Sequence, residues 1–413
     1  MKLVGDLRPV YVSAFLRSVG VGMVAVDLGI YLSRAGFSAT RIGLVISAGL
    51  AGVAVSTLLT SMLAERVGRR RTLVLLCSLA AIGGLGLALT ANFFALLLFA
   101  FAGMLNAAGH DRGAASSVEQ VLVSESVSPT DRTEALARYN IVLSVGHALG
   151  ALAAGLPFLL RSQFGIGLFA SYRSVFGFYG LLCLLSAASY LFLSPQAGFA
   201  RKAIRPGRRV SKQSKEVVTS LALLFSMDSL GGGFLTTTIL AYWFFRRFGI
   251  TEAGLAPIFF TAQVLNSVSY MVAARLARWI GLVNTMVFTH IPSSLLLMAV
   301  PFAPSLSWAI GLFLAREGLV QMDVPTRQSY LMAAVQPEDR VFASGITTLS
   351  RNISRTCSSS LSGYVIQNVS LAAPLFLGGA TKIIYDVLLY AALRRREPGK
   401  QGRKPCQEAS PSS

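Results

Sequence analysis

The chain has 413 residues, of which 54% are hydrophobic and 13% charged, and its formal net charge is +19 at pH 7. Soluble domains carry about 25% charged residues, and a soluble protein of this composition would expose large apolar patches, so the composition excludes a soluble globular protein. The basic residues lie in short links between apolar runs and not on one basic face, which excludes nucleic acid as a partner.

Twelve apolar segments are long enough to be transmembrane helices, because about 20 residues cross a hydrocarbon core of roughly 30 Å. In chain order their cores are predicted at 10–32, 42–63, 72–91, 93–118, 135–160, 172–193, 217–244, 253–275, 283–302, 306–332, 341–367 and 372–393. The sequence therefore predicts an all-α integral membrane protein with the lipid bilayer as its main partner.

The Lys and Arg residues of the links indicate the orientation of the chain in the membrane. With the N-terminus inside, the inside links and the tail hold 22 of these residues, and the outside links hold 6. Basic residues are retained on the cytoplasmic side of a membrane. We therefore expect a multi-pass protein of the cell membrane, plasma or inner, with both termini in the cytoplasm.

The longest inside link, residues 195–216, holds seven basic residues and divides the spans six and six. It predicts an N-terminal half at 1–194, a basic cytoplasmic linker, a C-terminal half at 217–396, and a disordered cytoplasmic tail at 397–413. The halves repeat: GFSATRIG resembles GITEAGLA at an offset of 213, and VSPTDR resembles VQPEDR at an offset of 208. Two pseudo-symmetric six-helix halves with a site at their junction are a transporter architecture.

One link carries a specific motif, LAERVGRRRT at residues 63–72. It resembles the signature G-x-L-A-D-R-x-G-R-R that the major facilitator superfamily has between its second and third helices. Ser61 replaces the glycine and Glu65 the aspartate, and the matching residues are Leu63, Ala64, Arg66, Gly68, Arg69 and Arg70. The resemblance covers about residues 8–395 and implies a twelve-helix secondary transporter that is not an enzyme.

The resemblance also implies that this link is a latch, in which an acid caps a neighbouring helix and an arginine pairs with an acid near the fourth helix. Glu65 would cap the helix that begins near Val341, and Arg69 would pair with Glu125 or Asp131. The expected gate and latch residues are Glu65, Arg66, Gly68, Arg69, Arg70, Glu119 and Asp131. The alternative is that the arginines only fix the orientation.

Charged side chains inside a bilayer cost at least about 2.5–3.5 kcal/mol each, so they face protein or water. Most of those in the predicted spans fall in the first, fourth, seventh and tenth, which line the central cavity in the family fold. Asp323 and Arg327 are four residues apart and can pair. Glu119 and Arg327 are equivalent at the offset of 208, so they form either a gate across the halves or separate local pairs. The expected cavity residues are Arg17, Asp111, Arg112, Arg316, Glu317, Asp323, Arg327, Arg351 and Arg355.

Two acids are candidates for carrying a coupled proton. Asp27 lies in the long first span among Gly, Val, Met and Ala residues, and the family often uses an acid on this helix. Its alternative role is a static pair with an arginine such as Arg17. Asp228, which is followed closely by three glycines at 231–233, is the second candidate.

The function expected from the sequence is secondary active transport of a small molecule, coupled to protons, by alternating access. Efflux of small amphipathic compounds is favoured by the twelve-helix length, the motif and the glycines of residues 146–157. The alternative is proton-coupled transport of an organic or inorganic anion bound by the cavity arginines. An alternative of another class is a membrane sensor on a transporter scaffold. No cofactor and no metal site are expected, since three scattered histidines make no ligand set, and a monomer is expected.

Overall fold

The computed structural model describes residues 7–109, 113–128, 132–193, 212–336 and 339–393, and these fold into sixteen α-helices without strands. Two short 3-10 turns, Tyr190–Phe192 and Val300–Phe302, follow α8 and α12. The helices are α1 (Arg8–Arg34), α2 (Ala39–Val67), α3 (Arg69–Leu89), α4 (Phe93–Ala102), α5 (Ala114–Glu125), α6 (Arg132–Ala153), α7 (Leu156–Phe164), α8 (Leu168–Ser189), α9 (Lys212–Gly233), α10 (Thr237–Phe248), α11 (Glu252–Ile280), α12 (Leu282–Ala299), α13 (Leu306–Val320), α14 (Asp323–Ala334), α15 (Arg340–Asn368) and α16 (Ala373–Leu393).

Nine helical stretches of the described residues are long and apolar enough to cross a membrane. The other three predicted spans are also helical. Those at 93–118 and 306–332 are each divided into two shorter helices, and that at 341–367 forms the more polar helix α15. The prediction of an all-α membrane protein is confirmed, and the count of twelve crossings stays a prediction.

Four predicted spans are interrupted where the sequence analysis treated them as continuous. The breaks separate α4 from α5, α6 from α7, α9 from α10, and α13 from α14. The first break contains Met104, whose φ of 52° lies in the left-handed region. After the third break, the Thr236 side chain accepts a hydrogen bond from the Ile239 amide and begins a new helix.

Turn geometry repeats between the two halves of the chain. Gly68, between α2 and α3, has a φ of 95°, and Gly281, between α11 and α12, has a φ of 88°. Gly36 and Gly249, which precede α2 and α11, have φ values of 82° and 66°. Both pairs are separated by 213 residues, the offset at which the sequence repeats. These left-handed conformations strongly favour glycine, which explains why the same turns carry it twice.

We call α1–α8 the first half of the molecule and α9–α16 the second half. In the first, α1 packs on α6 and α8, and in the second, α9 packs on α15 and α16. The halves meet where α2 contacts α15, α6 contacts α11, and α1 contacts α10. We call the end of the molecule where α1 begins and α8 ends the linker end, and the opposite end, where α1 ends and α11 begins, the far end.

The halves approach each other closely toward the far end, where α2 and α15 cross at two glycines. A Cβ on Gly363 would lie 2.2 Å from the Ala39 carbonyl oxygen and 2.9 Å from the Gly43 Cα. Nearby, the Thr40 amide donates to the Gln367 side chain over 3.2 Å. Only residues without a side chain allow two helices to come this close, so this crossing depends on its glycines.

Candidate functional site

A charged cavity lies inside the second half. It holds about 120 Å³, which is room for several water molecules at roughly 10–15 Å³ each. The first half contributes Ala108 to its lining. Its charged and titratable lining residues are Asp228, His290, Arg316, Glu317, Asp323, Arg327, Arg351, Arg355 and Lys382.

Asp228 on α9 is the centre of an ion-pair network in this cavity. Its Oδ1 accepts a hydrogen bond from Lys382 Nζ at 2.8 Å, and its Oδ2 accepts one from Arg327 Nη1 at 2.8 Å. Arg327 also donates to Asp323 Oδ2 at 2.7 Å. All four side chains are at most 8% exposed. Asp228, one of the two proton-coupling candidates, is thus neutralised by two cations in this conformation.

His290 on α12 extends the network to the last helix. Its Nδ1 lies 3.0 Å from both carboxylate oxygens of Asp386, and its Nε2 lies 3.2 Å from Lys382 Nζ. The Tyr385 ring meets the imidazole edge-on, with centroids 6.2 Å apart. Lys382, Asp386 and His290 are not among the site residues predicted from the sequence. The available signal was a base and an acid four residues apart inside an otherwise apolar span.

Three of these groups are possible ligands of a metal ion. Asp228, His290 and Asp323 offer oxygen and nitrogen atoms within 4.8 Å of one another. The Lys382 ammonium and the Arg327 guanidinium already neutralise the two carboxylates, and a cation would have to displace both. The donor set therefore fits an ion-pair network better than a metal site.

The remaining predicted cavity residues of the second half also line this space. Arg316 and Glu317 are ion-paired on α13, and Asn266 Nδ2 donates to Glu317 Oε2 at 2.9 Å. Arg351 Nε donates to Ser229 Oγ at 3.0 Å, and Arg355 lies one turn further along α15. The predicted residues Asp111 and Arg112 lie outside the described residues.

A separate buried cluster in the first half corrects two predictions. Arg17 Nη2 donates to Glu119 Oε2 at 2.5 Å, and the hydroxyls of Tyr190 and Tyr139 donate to the same carboxylate at 2.5 Å and 2.8 Å. Arg17 therefore belongs to this cluster and not to the charged cavity. Glu119 is saturated within its own half, so the gate between Glu119 and Arg327 across the halves is not formed, and the local pairing is observed.

Asp27 is fully buried in α1, and neither of its carboxylate oxygens has a hydrogen-bond partner among the described residues. The alternative pair with Arg17 does not form, since Arg17 is bound to Glu119. The charged groups that act on Asp27 electrostatically are Glu252 and Arg161. An unpaired carboxyl in this position is costly as an anion.

Glu252 and Arg161 themselves form an ion pair that crosses the halves at the far end. Arg161 Nη2 on α7 donates to Glu252 Oε1 on α11 at 2.5 Å, and the Tyr172 hydroxyl donates to the same oxygen at 2.7 Å. Glu252 is fully buried, whereas the Arg161 side chain is 20% exposed. In the sequence, Arg161 is only one of the six basic residues of the outside links, because nothing local indicates that two links from different halves meet.

The turn that carries the LAERVGRRRT motif lies at the linker end. Arg69 makes two hydrogen bonds to the carboxylate of Glu125, one of the two acids considered, at 2.6 Å and 3.1 Å. Arg70 donates to the Leu191 carbonyl at 2.7 Å, and Arg66 is exposed. Asp131 lies outside the described residues, as does the side chain of Glu65.

Two helical halves of repeated geometry, with buried charges in their interior, define a secondary transporter by architecture. The chain belongs to the Major Facilitator Superfamily, whose family model matches residues 10–322. The family predicted from the motif is therefore confirmed, and the chain is a multi-pass membrane transporter and not an enzyme. An uncharacterized membrane protein of Saccharomyces cerevisiae is 26% identical over 416 residues, which cover 93% of each chain.

Solved structures share the fold at low sequence identity. The nucleoside transporter NupG has a TM-score of 0.73 at 14% identity, covering 95% of this chain and 99% of that one. A D-xylose-proton symporter has a TM-score of 0.71 at 15% identity, covering 92% and 97%. The human organic anion transporter MFSD10 has a TM-score of 0.66 at 15% identity, covering 94% and 100%.

Proposed function

We propose that this protein is a proton-coupled secondary transporter of a small organic or inorganic anion. The charge of the cavity lining carries this proposal. Among the described residues, five lining side chains are cationic and three are anionic, which leaves an excess of two positive charges when His290 is neutral. The cations are Arg316, Arg327, Arg351, Arg355 and Lys382, and the anions are Asp228, Glu317 and Asp323. An anion of one or two charges would neutralise this excess.

Efflux of small amphipathic compounds, which the sequence favoured, has less support. An amphipathic ligand needs mainly apolar walls with few charges, and the walls of this cavity are rich in charges. One sequence argument for efflux, the glycines of residues 146–157, has a packing explanation. A Cβ on Gly150 would lie 2.1 Å from the Val19 carbonyl oxygen, and one on Gly146 would lie 2.7 Å from the Ser18 Cβ.

Two proteins of known structure that share this fold have names that match parts of the proposed function. One neighbour is named as an organic anion transporter and another as a D-xylose-proton symporter. Identities of 15% to both carry the fold alone, so the substrate class rests on the cavity of this chain.

Asp27 is our candidate for the coupled proton. Burial without a hydrogen-bond partner among the described residues makes its charged form costly, and a bound proton removes that cost. Movement of the halves that brings water to this part of α1 would allow the proton to leave. Substrate and proton would then be carried by the same rocking motion of the halves 1–194 and 217–396 about the cavity. From the distribution of basic residues among the links, we further propose that the protein lies in the cell membrane with its linker end facing the cytoplasm.

Purified protein in liposomes with an internal pH dye tests the proposal. We expect labelled succinate or inorganic phosphate to enter with protons, and ethidium, an amphipathic cation, not to move protons. Asp27→Asn should still exchange labelled anion across the membrane but should neither accumulate it nor move protons. Glu134→Gln, an exposed acid on α6, is the matched control and should behave like the wild type.

Two outcomes would overturn parts of this proposal. Proton movement driven by ethidium and not by either anion would favour efflux of amphipathic compounds. Undiminished proton movement in Asp27→Asn would show that Asp27 does not carry the coupled proton. The substrate class would then still be decided by whether succinate or phosphate is transported.

A further inference from the structure

The contacts of His290 fix the position of its ring proton. Lysine ammonium has three donors and no acceptor. Because Lys382 Nζ lies 3.2 Å from His290 Nε2, that nitrogen must be the acceptor and carries no proton. The single ring proton is then on Nδ1, which faces both oxygens of Asp386 at 3.0 Å. His290 is thus neutral and oriented while the ammonium is present.

A second proton on His290 is incompatible with this arrangement. The proton would point from Nε2 at the ammonium, and two cations at hydrogen-bond distance repel each other. The same nitrogen lies 3.8 Å from Asp228 Oδ1, the oxygen that Lys382 now occupies at 2.8 Å. A small movement would therefore let the imidazolium donate to Asp228 in place of the ammonium.

We propose that a proton on His290 and the ammonium of Lys382 compete for one position beside Asp228, and that the displaced Lys382 binds the carboxylate or phosphate group of the substrate. This inference rests on the proposed function for the anionic substrate, but the competition itself does not depend on it. Both His290 and Lys382 line the cavity, so the displaced ammonium needs only to turn on its four-carbon stem.

The net charge of the cavity changes when this exchange takes place. Asp228 keeps two cationic donors in either arrangement, Arg327 with Lys382 or Arg327 with the imidazolium. The cavity gains one positive charge for each proton bound, so one more negative charge can be held there. Anion and proton would bind cooperatively, because each makes the other more favourable.

The surroundings of His290 contain charged and titratable groups on five helices, α9, α13, α14, α15 and α16. Arg327 and Asp323 on α14 are paired with each other. Arg316 on α13 is paired with Glu317, and its carbonyl accepts a hydrogen bond from Ser293, near His290 on α12. The described groups of this kind around His290 are Asp228 on α9, Arg316 and Glu317 on α13, Asp323 and Arg327 on α14, Arg351 and Arg355 on α15, and Lys382, Tyr385 and Asp386 on α16. Of these, Lys382 contacts the unprotonated ring nitrogen, so it is the group that a second proton must displace.

Nitrogen NMR of the full chain in lipid nanodiscs tests the competition. The chain has three histidines, so ¹⁵N-labelled histidine gives three ring systems, and His290→Gln identifies the relevant one. We expect the neutral His290 ring to carry its proton on Nδ1. In Lys382→Met, the ratio of charged to neutral His290 at pH 7 should rise by about tenfold, as expected when an adjacent like charge is removed. His147→Gln, a second buried histidine, is the control and should leave His290 unchanged.

The wild-type protein tests the anion step without any variant. Succinate or inorganic phosphate should increase the charged fraction of His290 at constant pH and ionic strength, and chloride should not. The anion that acts identifies the group, carboxylate or phosphate. A neutral ring with its proton on Nε2, or an unchanged His290 in Lys382→Met, would overturn the competition. An unchanged His290 with both anions would overturn the binding role of Lys382. Failure of the proposed function would instead appear as vesicles in which neither anion moves protons.

Discussion

Replacement of Arg161 by methionine should open the far end of the molecule. Arg161 donates to Glu252 at 2.5 Å across the interface between the halves, and Glu252 is fully buried. Methionine keeps most of the apolar stem and removes the charge. The Tyr172 hydroxyl, at 2.7 Å, would remain as a donor to a carboxylate that has lost its countercharge.

The size of the effect follows from the burial of the pair. Removal of one partner from a buried ion pair costs about 3–5 kcal/mol. We take about 3 kcal/mol, the lower end, because the Arg161 side chain is 20% exposed and Tyr172 remains. The cost falls only on the arrangement in which the far end is closed, since separation of the halves returns Glu252 to water. A free-energy change of about 3 kcal/mol shifts the equilibrium between closed and open roughly 10²-fold.

Distances between spin labels on the two halves measure this shift. Ala91, in the link between α3 and α4, and Val369, which follows α15, are exposed at the far end. With Cys357 and Cys406 replaced by serine, cysteines at these two positions should give a longer-distance population in Arg161→Met that is minor in the parent protein.

Two further variants make the measurement specific. Arg173→Met removes an exposed arginine of α8 and should leave the distances unchanged. The double change Arg161→Met with Glu252→Gln removes both charges and should restore most of the short-distance population. Distances in Arg161→Met equal to those of the parent protein would refute the assignment of this pair as the closing contact.

Two further changes test the linker-end turn and the glycine crossing. Arg69→Ala removes two hydrogen bonds to Glu125, which is 40% exposed, so we expect a stability loss of about 1 kcal/mol or less. The initial transport rate should fall while the amount of folded protein is maintained. An unchanged rate would indicate that the arginines of this turn only fix the orientation of the chain in the membrane. Gly363→Val would place a Cβ 2.2 Å from the Ala39 carbonyl oxygen and should lengthen the label distances. Gly345→Val, where a Cβ meets nothing within 4 Å, should not, and equal effects of the two would argue against the crossing.

The family and the helical class were predictable because their signals are local. A run of apolar residues needs no knowledge of its neighbours to be recognised as a membrane helix. The LAERVGRRRT motif combines a tight turn with basic side chains, and the structure shows Gly68 at a φ of 95° and Arg69 bound to Glu125. The repeat at an offset of 213 could also be recognised from local signals, since its turns need glycine at equivalent positions.

The interruptions of the helices were less predictable, although some local signals existed. The stretch GGGFLTTT at residues 231–238 contains glycines followed by a capping threonine, which is typical of one helix ending and another beginning. Its apolar flanks made the segment look continuous. The break after Gly103 depends on Met104 in a left-handed conformation, which a methionine does not signal in a sequence.

The network around Asp228 shows why site residues were missed. His290 lies in one apolar span, and Lys382 and Asp386 lie in another, so the network that they form appears only when α12 packs on α16. For a related reason, the sequence left open whether Glu119 and Arg327 form a gate across the halves or separate local pairs. Sequence symmetry identified two equivalent positions of opposite charge, but it could not show that each already had partners in its own half.

Those equivalent positions suggest that ion pairs within a half and ion pairs between the halves have different roles in alternating access. The first half pairs Arg17 on its first helix with Glu119, and the second half pairs Asp228 on its first helix with Arg327, so the polarity is reversed at offsets of 211 and 208. A pair inside one half is present in every orientation of the halves and contributes equally to each. A contact biases an equilibrium only when it differs between the two states. The pair of Arg161 and Glu252 crosses the halves and must break when the far end opens, so it is the ion pair expected to set the balance, whereas the two inverted pairs keep each half rigid as it moves.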